Sequence, residues 1–156
     1  MYKALQTLQA SLFLFVLSFA AQASNISVDA NGVALHGYDP VSYFSEERQK
    51  GSPSYSFTVD EATYYFINEE NREKFSQAPK KYQPQFGGYC SYGVRLGQKF
   101  KGDPAEYVIH DDKLYLLYNR GSKQRWEQER DRNIAIAERL WPQLIVRGSV
   151  SGHADF

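Results

Sequence analysis

What limits the fold most is the brevity of every patterned segment. Tyr55-Ser56-Phe57-Thr58-Val59 alternates as a strand does, Asp60-Glu61 makes a turn, and residues 62–67 return as the partner strand. Residues 107–110 and 113–118 make a second hairpin around Asp111-Asp112. Strands that return on so short a turn pair antiparallel, and no long strand–helix–strand unit of the parallel kind occurs.

The helices read equally short. Asn68 caps one whose first turn carries Glu69 and Glu70, favourable at the positive end of the helix dipole. It ends before Pro79, and a second piece over residues 80–83 stops at Pro84. Gly87-Gly88 introduces a helix over residues 89–96, closed by Gly97. Segments near 122–129 and 132–140 follow; the latter has Ile134, Ala137, Leu140 and Trp141 on one face and Pro142 as its stop. Upstream, Val33-Ala34-Leu35 is a short strand, and Asp39-Pro40 opens a helical turn through Val41, Tyr43 and Phe44. Residues 46–53 read as a loop, and no internal repeat shows. The expected fold is α+β: small antiparallel hairpins interleaved with short helices in a single domain over residues 24–145, with 146–156 a tail without periodicity.

Residues 1–23 have the pattern of a secretory signal. Lys3 is the cationic start, the run from Leu12 to Ala20 is apolar, and Ala21-Gln22-Ala23 is a small-x-small cleavage site. About ten apolar residues fall short of the ~20 that span a bilayer, so no membrane span is expected after cleavage. The expected mature protein starts near Ser24 and is periplasmic or extracellular. Lys+Arg and Asp+Glu are both 18, and losing Lys3 leaves 17 against 18, so no basic field draws nucleic acid. On the last helices Arg120, Lys123, Arg125, Arg130, Arg132 and Arg139 are interleaved with Glu127, Glu129, Asp131 and Glu138, which describes a solvated face.

Asp39-Pro40-Val41, then Tyr64-Tyr65-Phe66, Arg72-Glu73-Lys74-Phe75 and Pro79-Lys80-Lys81-Tyr82 occur in the order found in the YHS domain, and residues 33–85 resemble that family. Gly87-Gly88-Tyr89-Cys90-Ser91-Tyr92-Gly93-Val94, Leu114-Tyr115, Tyr118-Asn119, Trp126 and Trp141-Pro142 extend the resemblance to its exported single-domain members. The resemblance implies metal handling by cysteine ligands. At the three positions where it implies cysteine, this chain has Ser42, Ile67 and Asn71, none of which replaces a thiolate on Cu(I) or Zn²⁺.

Cys90 is the one cysteine, so neither an intramolecular disulfide nor a multi-cysteine zinc cage can form. In the first turn of a helix opened by Gly87-Gly88, its thiol would be stabilised as thiolate; packed among Gly93, Val94 and Gly97, it would be core. His36 would join it if the two halves pack together, and with Asp39 such a set would suit copper or zinc. His110 is a solvated hairpin end and His153 lies in the tail. Tyr38, Tyr43, Tyr89, Tyr92 and Trp126 either line a ligand cleft or fill a small core. No phosphate loop, nucleophile elbow or zinc-protease motif occurs. The expected function is that of an exported, non-enzymatic module binding a metal ion or small ligand near Cys90. A thiol-redox protein and a scaffold for an unidentified protein partner are the alternatives.

Overall fold

The computed structural model describes residues 25–45 and 47–147. The first hairpin joins β1 (Ser52–Val59) to β2 (Ala62–Phe66), and the second joins β3 (Asp103–His110) to β4 (Lys113–Leu117). The helices are α1 (Glu69–Gln77), α2 (Pro79–Tyr82), α3 (Ser91–Arg95), α4 (Arg120–Gln128) and α5 (Arg130–Arg147). The fold is α+β. In both hairpin turns two acidic residues take positive φ, 51° and 64° at Asp60 and Glu61 and 48° and 54° at Asp111 and Asp112. That geometry matches the twist of the paired strands.

The two hairpins belong to one structural unit that occurs twice, 51 positions apart, which corrects the expectation of no repeat. Phe57 pairs with Tyr64 and Thr58 with Thr63; Val108 pairs with Tyr115 and Ile109 with Leu114. Pro53 and Pro104 fall in the same irregular step of each ladder, where a residue with no N–H to donate is tolerated. Gly51 N donates to Gly37 O at 2.9 Å and Gly102 N to Gly88 O at 3.2 Å. A Cβ on Gly51 would lie 2.4 Å from the Tyr65 carbonyl carbon, and one on Gly102 would lie 2.6 Å from Leu116 Cβ, so neither position admits a side chain. Asn68 and Asn119 cap α1 and α4 alike, their Oδ1 atoms accepting from Asn71 N at 2.9 Å and Ser122 N at 2.8 Å.

Equivalent residues build equivalent cores. Leu35, Tyr43, Tyr64, Phe66 and Phe75 fill the first; Phe86, Val94, Tyr115, Leu117 and Trp126 fill the second. The second hairpin lies between them. Tyr107, Ile109, Leu114 and Leu116 pack on the first core, while Val108, Tyr115 and Leu117 pack on the second. The far side of the second core is covered by α5 through Ile134, Ala137, Trp141 and Leu144. On the first hairpin, the counterparts of the four residues that reach across are Ser56, Thr58, Thr63 and Tyr65. They form its outer face, where Ser56 and Thr58 are exposed, and the two threonine hydroxyls bond each other at 3.0 Å. A polar face on the terminal unit is what an array of stacked units needs.

Several boundaries differ from the sequence reading. Val33 and Ala34 make only single bridges, because Leu35 and His36 turn with positive φ into a 3₁₀ turn over Leu35–Gly37. β1 begins at Ser52, inside the expected loop. Pro142 does not stop the last helix: α5 continues to Arg147, into the expected tail. Trp141 and Leu144 pack on the second core on either side of Pro142, and that packing offsets the roughly 3 kcal/mol a mid-helix proline costs. The expected signal segment and residues 148–156 lie outside the described residues. Among the described residues no helix is long and apolar enough to cross a membrane.

Candidate functional site

Asp39 and Cys90 occupy the same place in the two units. Asp39 is fully buried, its Oδ1 accepting from Val41 N at 2.8 Å and Ser42 N at 3.3 Å. Its Oδ2 accepts from Ile67 N at 3.0 Å and Asn71 Nδ2 at 2.7 Å. One carboxylate thus ties the 3₁₀ turn over Ser42–Phe44 to the end of β2 and the first turn of α1. Cys90 Sγ accepts from Gly93 N at 3.4 Å and is hydrogen-bonded by the Tyr92 and Tyr118 amides and the Ser122 side chain. These four partners stand 51 positions after Ser42, Val41, Ile67 and Asn71. Cys90 is therefore the anchor of its unit, as Asp39 is of the first.

Of the two expectations for the thiol, this geometry is that of the packed side chain. Cys90 is the N-cap of α3 rather than part of its first turn, and it is fully buried in the second core. Burial pushes its pKa up, against the opposing effect of the hydrogen bonds that it accepts. His36 is exposed and lines a small cavity with Leu35, Gly87 and Gly88. An exposed imidazole and a sealed thiol do not make a ligand pair, and among the described residues no three His, Cys, Asp or Glu side chains are grouped to hold a metal.

The aromatic residues are divided between the cores. Tyr38 lies under the Arg48 and Lys50 cations, at 5.5 and 4.5 Å from the ring centre. Tyr89 and Trp141 hold the ammonium of buried Lys99 at 4.5 and 5.7 Å. Among the described residues that nitrogen has no hydrogen-bond partner, and burial lowers its pKa. Tyr92 takes the Arg95 guanidinium at 5.5 Å, and Trp126 is wholly core. Tyr43 donates its hydroxyl to Pro104 O at 3.0 Å and meets the Tyr107 ring edge-on at 4.8 Å. His110, on the second hairpin, stands 3.4 Å from both Asp111 and Asp131.

Of that aromatic set, Tyr43 borders a cleft of about 740 Å³ between the first unit and the tip of the second hairpin. Residues 41–45 form one wall, Ile67, Asn71 and Lys74 another, Lys81 and Tyr82 of α2 a third, and Ile109 and Asp112 close it. Ser42, Ile67 and Asn71, the positions for which the YHS resemblance implies cysteine, thus border one cavity. Their donors do not suit copper or zinc. Ser42 Oγ donates to Asp39 O at 2.7 Å and accepts from Gln49 N at 2.8 Å, Asn71 Nδ2 is held by Asp39, and Ile67 has no donor atom. The cleft presents a mixed lining, apolar from Val41, Phe44, Ile67 and Ile109 and polar from Ser42, Ser45 and Asn71, with the exposed Lys74 and Lys81 on one side and Asp112 on another. Sequence reasoning does not find Lys74, Lys81, Ile109 or Asp112, because they come from separate elements with no common spacing. The signal that leads to the site is the pair Gly-Tyr and Lys-Gly-x-Pro, at 37–38 and 50–53 and again at 88–89 and 101–104, which reveals the repeat and hence the one place where the two units differ in cover. Compared with known family models, with curated proteins and with solved structures, the chain matches none of them.

Proposed function

We propose that this protein is a non-enzymatic binding module that works through the cleft of its first unit and not through Cys90. The observation that carries this reading is the cleft itself: apolar side chains from three elements set among polar ones, with two exposed lysines on its rim that no buried acid neutralises among the described residues. Among the described residues Lys74 pairs with exposed Glu70, and Lys81 lies over the Tyr82 ring at 5.3 Å. Such a site suits a ligand with an apolar body and an anionic end. The burial of Cys90 argues for the scaffold side of the alternatives, since a thiol without water access neither attacks nor exchanges.

Anilinonaphthalene sulfonate, an aromatic anion, is the test probe. Saturable fluorescence on the native protein is expected, weakened about tenfold by Lys74→Glu with Lys81→Glu and within twofold for the control Lys80→Glu. Absence of binding to the native protein, or binding indifferent to the double reversal, overturns the reading. The export reading adds that the module acts outside the cytoplasm. Mass spectrometry of the cellular protein is then expected to find Ser24 as its first residue, and an intact Met1 end overturns that.

A further inference from the structure

The first unit leaves open a place that the second unit fills, and it is filled there by helix. Tyr82 of α2 and Asn133 of α5 are equivalent, as are Phe44 and Arg95. Tyr82 meets the Phe44 ring at 5.5 Å, while Asn133 Oδ1 accepts from Arg95 Nε at 2.9 Å. Beyond this contact the units diverge. After Asn133 the helix runs on, and Ile134 and Ala137 pack on the second core. After Tyr82 the chain leaves through Gln83 and Pro84 into the second unit.

The first unit takes its cover instead from the second hairpin. Tyr107 lies against Arg48 and Tyr43 there, much as Trp141 lies against Lys99 and Tyr89 in the second unit. That hairpin turns back at Asp111-Asp112. Residues 41–45, the counterpart of the α3 surface on which α5 packs, are left as a cleft wall.

We infer that the cleft is the seat of an amphipathic helix from a partner protein, with two apolar side chains three residues apart, as Ile134 and Ala137 are, and acidic side chains toward Lys74 and Lys81. This rests on the binding reading above and names its occupant. The α5 of a second copy is not the occupant, because its apolar face already packs on its own second core through Ile134, Ala137, Trp141 and Leu144. A helix with acids toward Lys74 and Lys81 gains rim contacts with those two cations and seats its apolar side chains on Val41, Phe44, Ile67 and Ile109, the usual logic of helix-in-groove recognition.

The probe is a fluorescein-labelled synthetic peptide of residues 130–147, whose Asp131 and Glu138 flank the Ile134 and Ala137 stripe, titrated into the full mature protein and followed by anisotropy. Saturable binding is expected, about tenfold weaker with the Lys74→Glu, Lys81→Glu protein and with a peptide carrying Asp131→Lys and Glu138→Lys. Amide NMR shifts are expected at residues 41–45, 67 and 82. The inference is overturned by absence of saturable binding, by equal affinity for the charge-reversed protein, or by shifts centred on residues 91–95, which would mean that the peptide has displaced α5. If the sulfonate probe still binds while the peptide does not, this inference falls and the binding reading stands. If neither binds, both fall.

Discussion

Cys90 and Asp39 show how one backbone demand can be met by two chemistries. Both side chains close a turn, hold the end of a strand and fix the start of a helix; one is a carboxyl group with four N–H donors on it, the other a soft sulfur that accepts more weakly, from Gly93 N at 3.4 Å. The consequence for Cys90 is that its hydrogen bonds are structural. The native thiol is expected to resist iodoacetamide at neutral pH and to react at once on unfolding in urea. Cys90→Val, which fills the space but accepts nothing, is expected to cost about 1–3 kcal/mol by leaving buried donors unmet. Urea unfolding checks this, and a thiol that alkylates in the native state would show that the side chain is not sealed. Asp39→Ala is expected to cost more, about 3 kcal/mol or above, because it leaves two backbone amides and the Asn71 amide without an acceptor in a dry place.

At the scale of elements, the second hairpin is a wall with apolar side chains on both faces, and the first hairpin has them on one. The difference lies in four equivalent pairs: Ser56 and Tyr107, Thr58 and Ile109, Thr63 and Leu114, Tyr65 and Leu116. Leu114→Thr is expected to cost about 2–4 kcal/mol, since it removes a packed aliphatic group and buries a hydroxyl. The mirror change Thr63→Leu is expected to move stability by about 0.5 kcal/mol or less while extending an exposed apolar patch. Urea midpoints measure the first effect and light scattering the second; equal costs for both would contradict the asymmetry of the two faces. Much of this was legible in the sequence. The alternation of β1, the acidic two-residue turns, the Asn68 cap and the α5 stripe all follow from local chemistry, which is why both hairpins were found. The repeat was not found, because the pairs that matter conserve shape and role rather than identity: Asp39 with Cys90, Phe75 with Trp126, Phe66 with Leu117. The course of α5 through Pro142 was hidden for another reason, since a core some distance along the chain decides it.

At the scale of the whole molecule, the buried acids of weak strength set the response to alkali. Burial pushes Tyr64 and Tyr115 up to about 12, raises Tyr43 further, and raises Cys90 as well. In each case the folded chain keeps a proton that the unfolded chain releases, so stability is complete below the unfolded values of about 8.5 for a thiol and ~10 for a phenol and is lost as pH rises through the folded ones. The urea midpoint is expected to stay level from about pH 6 to 8 and to fall above about pH 9, with phenolate absorbance showing tyrosines that titrate only as the protein unfolds. A midpoint that holds level through alkaline pH would contradict the burial of these groups. The shared hairpin also governs when the fold can form. The first core is missing a wall until Leu114 and Leu116 exist, although its own last helix ends at Tyr82. From Tyr82 to Leu117 is about 35 residues, roughly 2–7 s of synthesis at ~5–20 residues per second. Over that interval the first core lacks the side that Leu114 and Leu116 close, and a chain that stops short of β4 would display that side to whatever holds nascent protein.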